Sequence, residues 1–493
     1  MIIAIEVEAY HLADGRVDTL RFSESGFVTR PDDTPANAWF EPVIRTAPSL
    51  SRLLFDAAGT YGATKVTIGN VQLVNEGGHL DYLLTDYAFD GRRFTVRIGD
   101  IDTPFSQWLV VMTGTLSDVA ADGTAVDLII QDRLADLTLN DWPTYAGNNV
   151  APNGLEGTAD DLKDQPKPRV YGAVLNVTPK AVNTSKLIYQ VSDAACTVSA
   201  AYDNGVALTR GVDYASAEDM QASAPAAGQF RCFAGYFRLG SSPTGTVTCD
   251  AATVAVRAAD LLVAIALDAG VPVADIMQAD VDVLNGLAAS RVGVWADSNP
   301  TPQSLMDTVA GSVGAWYGFD RLSRLRMGRL DAPAGEPLLV WGEDIQETVQ
   351  PSSGGVPAWS ISVRYAHNYT VQSDVAGAAG TVRAAWLAQE YRTSQATDAP
   401  IKVPWPHAQT LSFDTGLLDV ADANAEAQRR LALYGPRRMK IDLDVPVAEL
   451  GETDLGHVVQ LATARYGLAG RLFRVIGINS GFASGKAALV LWG

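Results

Sequence analysis

Cysteine, histidine and basic charge are all scarce in this chain, and each shortage removes a class of chemistry. Its 493 residues include three cysteines, Cys196, Cys232 and Cys249, all in one middle region. An odd number of thiols at that spacing gives no disulfide framework, and a Cys-only zinc site would want a fourth ligand and closer spacing, so buried reduced thiols in strands are expected. The five histidines, His11, His79, His367, His407 and His457, form no HExxH or other metal-ligand spacing and read as surface or turn residues. Lys and Arg total 37 against 56 Asp and Glu, a net charge of −19, which argues against a nucleic-acid duplex held through its phosphates. Long apolar runs are missing as well: no window approaches the ~18 to 20 residues of a membrane span. The opening MIIAIEVEAYHLADG carries Glu6 and Glu8 inside its apolar stretch and has no basic leader, so it reads as a first strand of a chain made in a cytoplasm.

Local catalytic signatures are also lacking. There is no GxSxG elbow, no Walker A loop and no GxGxxG opening a helix. The DxD pairs Asp100/Asp102 and Asp280/Asp282 do not continue into a calcium loop and read as polar turn residues. A glycosidase acid pair is defined by its spacing in space, which a sequence does not show. Sequons at Asn176, Asn183 and Asn368 matter only with an export route. The expectation is a non-enzymatic chain with no catalytic, cofactor-binding or metal-binding residues.

What is present is β-pattern, turn chemistry and length enough for several cores. Hydrophobic residues make up 47% and charged residues 19%, ordinary for a folded chain. Residues 64–74 (TKVTIGNVQLV) alternate in two phases that shift at Gly69-Asn70, as a β-bulge would require. Asp90-Gly91 and Asp122-Gly123 each sit between strand-like runs and predict two tight hairpins, hence a barrel or sandwich. A polar Gly- and Pro-containing run at 148–167 places a boundary near 165. Residues 166–250 read as a small β-rich domain, with an Asn204-Gly205 turn and a hairpin through YFRLG-SSPTG-TVTCD.

Residues 251–350 predict an α+β module. A helix over 258–269 ends at Gly270, another opens at Thr301-Pro302, and WYGFDRLSRLRMGRL reads as a hairpin. From 351 to 493 strands return, with a polar linker at 392–402 and one helix at 419–434 (DVADANAEAQRRLALY) stopped by Gly435-Pro436. Residues 110–130 and 472–491 share a strand, a mid-strand Gly, a turn ending in Gly and a second apolar strand, a weak internal repeat. Two basic clusters stand out: Arg321, Arg324, Arg326 and Arg329 along the predicted hairpin, and Arg429, Arg430, Arg437, Arg438 and Lys440 at the end of the last helix. The second is either a solvated set complementing the helix dipole or a docking surface for an acidic subunit, and both clusters are candidate docking residues.

The helix AEAQRRLALYGPRR, the strand ending VPVAEL, the run GETDLGHVVQLATARYGLAGRLFRVIGI and the opening-domain stretch GNVQLVNEGGHLDYLLTDYAFDGRRFTVRIGD together resemble phage tail hub and tail-tip (baseplate hub) proteins. The resemblance implies a mainly β, multidomain fold with an α+β insertion: two tail-tube-like β-barrels, at 1–165 and 351–493, separated by the small β domain and the α+β module. It implies a virion structural protein at the tail tip, forming a ring, as a homotrimer, that continues the tube channel. Implied partners are other copies of itself, the tail tube or distal tail protein, and fibre or spike proteins. DNA would pass transiently without specific binding, which an acidic lumen suits, and synthesis would be in the host bacterial cytoplasm. Competing readings are a tail-associated glycan or peptidoglycan hydrolase with an unrecognised carboxylate pair, and a receptor-binding adhesin.

Overall fold

The computed structural model describes residues 2–55, 60–139, 142–149, 154–342, 348–446, 450, 453–481 and 486–493. Period-two alternation builds the first sheet. Ile3, Ile5, Val7 and Ala9 of the strand Ile2–His11 turn one face inward, where they meet Phe94, Val96, Met112, Leu116 and Leu128. The strand order is Phe27–Val28, Trp39–Pro42, Arg16–Ser23, Ile2–His11, Arg93–Gly99, Leu109–Ala121, Ala125–Gln131, Val71–Val74, Ile44–Thr46. Only Val43 separates Trp39–Pro42, next to one end of that path, from Ile44–Thr46 at the other, so the sheet curls round on itself as a barrel.

A second large sheet sits at the other end of the chain. Its order is Leu339–Trp341, Val458–Leu461, Arg471–Gly481, Lys486–Trp492, Met439–Pro446, Thr348–Ser353. Phe473, Val475, Ile441, Leu443, Leu489 and Leu491 form its core. When the hairpin of Ile2–His11 and Arg16–Ser23 and the two-residue edge strand Phe27–Val28 are set aside, the two sheets have the same chain order: first, fourth, fifth, sixth, third, second strand. The sense of pairing is similar. The first strand pairs in parallel with its inner neighbour on the full path, Arg16–Ser23 in one sheet (Phe22 with Glu41) and Val458–Leu461 in the other (Leu339 with Val459), and the pairings among the remaining strands are antiparallel. The hairpin Leu109–Ala121 with Ala125–Gln131 and the hairpin Arg471–Gly481 with Lys486–Trp492 occupy equivalent places, and each carries one register shift.

Between them lie two further units. Two five-stranded sheets over residues 169–296 enclose Val174, Val198, Phe230, Phe237 and Cys249. Asn204 (φ 48°) and Gly205 (φ 83°) make the two-residue turn that joins Thr197–Asp203 to Val206–Ala207, both in the left-handed region such a turn needs. The other unit packs the helices Ala258–Asp268, Gln278–Leu287 and Pro302–Val313 with the strands Ala315–Phe319 and Leu325–Arg329. Thr301 caps its helix by accepting from the Ser304 N–H, Pro302 fills the first turn, and Gly314 ends it at φ 68°. The Val420–Tyr434 helix lies on a three-stranded sheet, Arg392–Thr397, Ala358–Tyr365 and Gln409–Asp414, joined to the same core through Ala423 and Ala427.

One excursion ties these pieces together. The strands Ser49–Leu53 and Lys65–Gly69 leave the first barrel as a hairpin, and Ser49–Leu53 adds to the second sheet, Leu53 opposite Gly477 and Ser49 opposite Gly481. Beyond it, Gly62–Ala63 pairs in parallel with Ala315–Phe319, and the Thr64 N–H donates to Tyr317 O at 2.7 Å.

Several sequence expectations change form. The phase shift at Gly69-Asn70 is a change of sheet: Lys65–Gly69 pairs with Ser49–Leu53, whereas Val71–Val74 pairs with Ala125–Gln131. A local pattern reads the same either way, because both require the inward face to swap. Asp90-Gly91 closes no hairpin; Tyr87–Ala88 and Arg93–Gly99 on its two sides both pair with Ile2–His11. Tyr236–Leu239 and Val247–Ala252 belong to different sheets, and the hairpin there is Gln229–Phe233 with Tyr236–Leu239 through Ala234-Gly235. The polar stretch at 392–402 is the strand Arg392–Thr397 followed by a helical turn Ala399–Lys402. Asp280 and Asp282 lie on the helix Gln278–Leu287, not in a turn.

Gly318 marks how tightly the excursion seats. A Cβ there would fall 1.8 Å from Thr64 Oγ1. Gly318→Ala is therefore expected to cost about 1–3 kcal/mol in urea unfolding through overpacking. Thr64→Ala, whose hydroxyl is buried without a hydrogen-bond partner, is expected to be near neutral and to restore part of the loss in the double variant, because the residue-64 Cβ would still lie 2.9 Å from the new one. A double variant as unstable as Gly318→Ala alone would show that the clash is elsewhere.

Candidate functional site

The densest polar chemistry of the protein lies where its parts meet. Arg52 of the excursion and Arg326 of Leu325–Arg329 both point at Asp454, which precedes Val458–Leu461 of the second sheet. Arg52 is ion-paired with Asp454, and Arg326 Nη1 lies 3.4 Å from its Oδ2. Arg326 also donates from Nε to Asp280 Oδ2 at 2.5 Å and approaches Asp320 at 3.8 Å, and Arg324 pairs with Asp320 at 2.7 Å. Burial alone would raise the Asp454 carboxyl; Arg52, the Leu455 N–H and Arg326 outweigh it and hold the group below the usual carboxylate range. For Arg326, burial opposes the charge and the Asp280 carboxylate restores it, leaving the guanidinium more basic than usual.

A second network runs along the Val420–Tyr434 helix. Arg430 is fully buried; its Nε donates to Glu426 Oε1 at 2.6 Å and its Nη2 to Gly311 O at 2.5 Å, with the guanidinium 4.0 Å from the Phe413 ring centre and 5.6 Å from that of Tyr61. Arg429 donates to Glu426 at 2.7 Å, to Asp331 at 2.9 Å and to Leu330 O at 3.1 Å. Arg329 joins the same Asp331 at 2.9 Å. Burial pushes Glu426 up, but the two arginines more than reverse that and hold it ionised. Thr60 of the excursion bonds the Tyr434 hydroxyl, so this network too closes on residues from the first barrel's loop.

These placements divide the basic residues that the sequence groups together. Arg324, Arg326, Arg329, Arg429 and Arg430 are turned to intramolecular carboxylates, and Arg430 has no surface to offer. Arg321 reaches Val110 O and Val111 O of the first barrel, each at 3.4 Å. Arg438 is half-buried, donating to Leu433 O and lying 5.0 Å from the Trp492 ring centre, and Lys440 stands 3.9 Å from Asp442. Arg437 is exposed, its guanidinium 5.6 Å from the Trp405 ring centre. The i, i+4 spacing of Glu426 with Arg430 and of Asp320 with Arg324 is the signal in the sequence for this internal use.

The three thiols and His367 sit in settings that suppress their reactivity. Cys196, Cys232 and Cys249 are free thiols; burial pushes Cys196 up to about 12, Cys232 up to about 11 and Cys249 well above its ordinary value, so little thiolate exists near neutrality. His367 stacks on Tyr391 with ring centres 4.3 Å apart and planes 5° apart, and burial lowers its basicity although Glu390 stands 3.7 Å away. Among the described residues no three His, Cys, Asp or Glu side chains converge as a metal site would require, and no helix is long and apolar enough to cross a membrane.

No family model and no curated protein matches the sequence. Solved structures similar to it include phage tail and baseplate proteins and a gene transfer agent virion. The 43 kDa tail protein of prophage MuSo2 from Shewanella oneidensis is 12% identical, with 99% of this chain and 95% of that one covered at a TM-score of 0.36. A tail protein from Neisseria meningitidis MC58 is 9% identical, with 99% and 96% covered at 0.43. A chain of the native gene transfer agent particle is 14% identical, with 67% and 85% covered at 0.44.

The junction has a pH signature. Asp454 and Glu426 titrate below their unfolded values, so their contribution is complete above about pH 5 and is lost as pH falls through the folded pKa values. Thermal midpoints should therefore drop as pH falls below about 5. Asp454→Ala, which takes from Arg52 its carboxylate while Arg326 keeps Asp280, should cost about 3 kcal/mol at pH 7 and flatten that acid limb. An unchanged acid limb in the variant would show that Asp454 is not part of it.

Proposed function

We propose that this protein is a structural component of a phage or phage-like tail tip or baseplate: a hub whose copies, three in number, form a ring that continues the tail tube channel and anchors distal tail proteins. The observation that carries the reading is the pair of large sheets with one chain order and a similar pattern of pairing sense, fastened to each other through the 49–69 excursion. A chain with two equivalent barrels lets three copies present six similar surfaces to a six-fold tube. Holding both barrels in one chain also replaces an association step with an intramolecular one. Rigid fastening matters here, because two barrels that moved independently would forfeit that gain.

The acidic balance suits the role: a net charge of −19 repels a phosphate backbone and favours passage of DNA over capture. Domain limits near 165, 250 and 350 belong to this reading, with the small β unit and the α+β module as insertions between the barrels. So does a docking role for Arg437, supported by Arg438 and Lys440, toward an acidic subunit. The chain acts by shape and surface, without catalysis, and its place is the virion.

Mass photometry and cryo-EM class averages of the purified chain test the reading. A closed ring with an open centre is expected; a monomer at all concentrations, with no ring in the intact particle, would overturn it. Arg437→Glu combined with Arg438→Glu should block assembly, and Arg437→Glu alone, at the exposed position, should weaken it while leaving circular dichroism and the thermal midpoint unchanged; normal assembly of both variants would return these residues to an ordinary solvated surface.

A further inference from the structure

The match between the two large sheets extends to single hydrogen bonds around the bulge of the long strand. In the first barrel the Gly91 N–H donates to Leu116 O at 2.9 Å and the Leu116 N–H to Arg92 O at 2.9 Å. In the second, the Gly456 N–H donates to Val475 O at 2.8 Å and the Val475 N–H to His457 O at 2.9 Å. The register shift follows at once in both, between Leu116 and Asp118 and between Val475 and Gly477. Asp118, Val119, Ala120 and Ala121 therefore stand where residues 477–480 stand in the second sheet.

On the second sheet this half of the strand is covered. Ser49–Leu53 pairs with residues 477–481, and the Leu54 N–H donates to Ile476 O at 2.7 Å, so every second residue from Ile476, Ile478 among them, turns its backbone groups to the excursion. Ile476, Gly477 and Ile478 are buried beneath it. On the first barrel the corresponding edge is bare among the described residues. Pairing with Arg93–Gly99 stops at Thr115, Asp118, Ala120 and Ala121 are exposed, and Val119 is half-buried where Ile478 is enclosed. The Val119 N–H, equivalent to one that faces the excursion, donates to Asp118 Oδ1 at 2.8 Å. A carboxylate on that amide blunts the edge in the free chain.

The excursion that covers the second sheet leaves the first barrel between Ile44–Thr46 and Val71–Val74, the second and third strands of the shared order. The same interval of the second barrel, between Thr348–Ser353 and Met439–Pro446, holds residues 354–438, the three-stranded sheet and the Val420–Tyr434 helix. That sheet ends in Arg392–Thr397 and Gln409–Asp414, each paired on one side among the described residues. Resting on the ring proposed above, we infer that the 118–121 edge of one copy is completed as a β-ladder by an outer strand of the 354–438 insertion of a second copy. Around three chains the two barrels alternate. The first reaches the second within a chain through residues 49–69, and the second reaches the next copy's first barrel through its own insertion. Main-chain bonds give an added strand its affinity, and the contact recurs at each junction between copies. Asp118 releases the Val119 N–H as the strand arrives.

The test uses the full chain. The Asp122 N–H donates to Ala125 O, so by alternation the Ala121 N–H faces the bare edge, and Ala121→Pro removes it without taking a bond from the ladder to Ala125–Gln131. Circular dichroism and the thermal midpoint should hold, while the concentration for half-assembly in mass photometry rises about tenfold or more. Separately, Ala120 is replaced by the photocrosslinker benzoylphenylalanine in a mixture of light and heavy-nitrogen chains. Irradiation should join light to heavy copies, with mass spectrometry placing the crosslinks in 354–438. Crosslinks that stay within one copy, or that join copies elsewhere, would overturn the proposal, as would normal assembly of a stably folded Ala121→Pro. If that variant fails to fold, the crosslink decides alone. Closed rings with no crosslink from position 120 would sink the added strand and leave the ring; copies crosslinked through 354–438 that build open chains in cryo-EM would sink the ring and leave the strand.

Discussion

Asp454 is held between two arginines that reach it from opposite directions, Arg52 from the first barrel's loop and Arg326 from the helical module. A buried carboxylate in that position cannot be relaxed locally. Loss of the Arg52 contact would leave a largely desolvated carboxylate with the longer Arg326 contact alone, so the excursion and the second sheet are strongly coupled, with the helical module joined to them through Arg326. The β-ladder between Ser49–Leu53 and Arg471–Gly481 gives the same instruction in backbone terms, because a slip of one residue would turn Leu50 and Leu53 to the wrong faces. Charge fixes the place and the ladder fixes the register.

The Val420–Tyr434 helix repeats this logic on its own scale. Its small residues, Ala423 and Ala427, let it lie close on the three-stranded sheet, and Arg430 is then enclosed among Gly311, Phe413 and Tyr61. That enclosure is affordable only because Glu426, one turn back, supplies the counter-charge. What remains outward is the opposite side of the helix, Gln428, Leu431 and Ala432, where an open groove lies. Internal fastening and an external surface are thus two faces of one helix.

Much of the β-architecture was legible from alternation and turn chemistry. The hairpin at Asp122-Gly123, the turn at Asn204-Gly205, the Thr301-Pro302 helix start and the Ala315–Arg329 hairpin all stand where local preferences put them. The correspondence between residues 110–130 and 472–491, faint as sequence, becomes a match of whole strand orders. Local signals failed where two partners compete for one strand. Asp90-Gly91 resembles a hairpin turn, yet both flanks prefer Ile2–His11, and the Gly69-Asn70 shift looks the same for a bulge as for a change of sheet. The basic clusters misled for a related reason. Spacing shows that arginines are neighbours along a strand or helix but not which acids turn to meet them, whether a few residues away, as Glu426 and Asp320 are, or 46 to 128 away, as Asp280, Asp331 and Asp454 are.

By itself the sequence determined the class of element at most positions, the scarcity of ligands and nucleophiles, and the acidic sign of the whole. These follow from composition and from periods of two and 3.6, which act within a few residues. Tertiary structure alone decided that residues 49–69 leave one barrel to complete another sheet, that Arg52 and Arg326 converge on Asp454, and that Arg430 is buried while Arg437 is not. Those outcomes depend on contacts between residues up to four hundred positions apart, where the free energy of burying a charge or completing a ladder is settled by the assembled fold and leaves no local pattern behind.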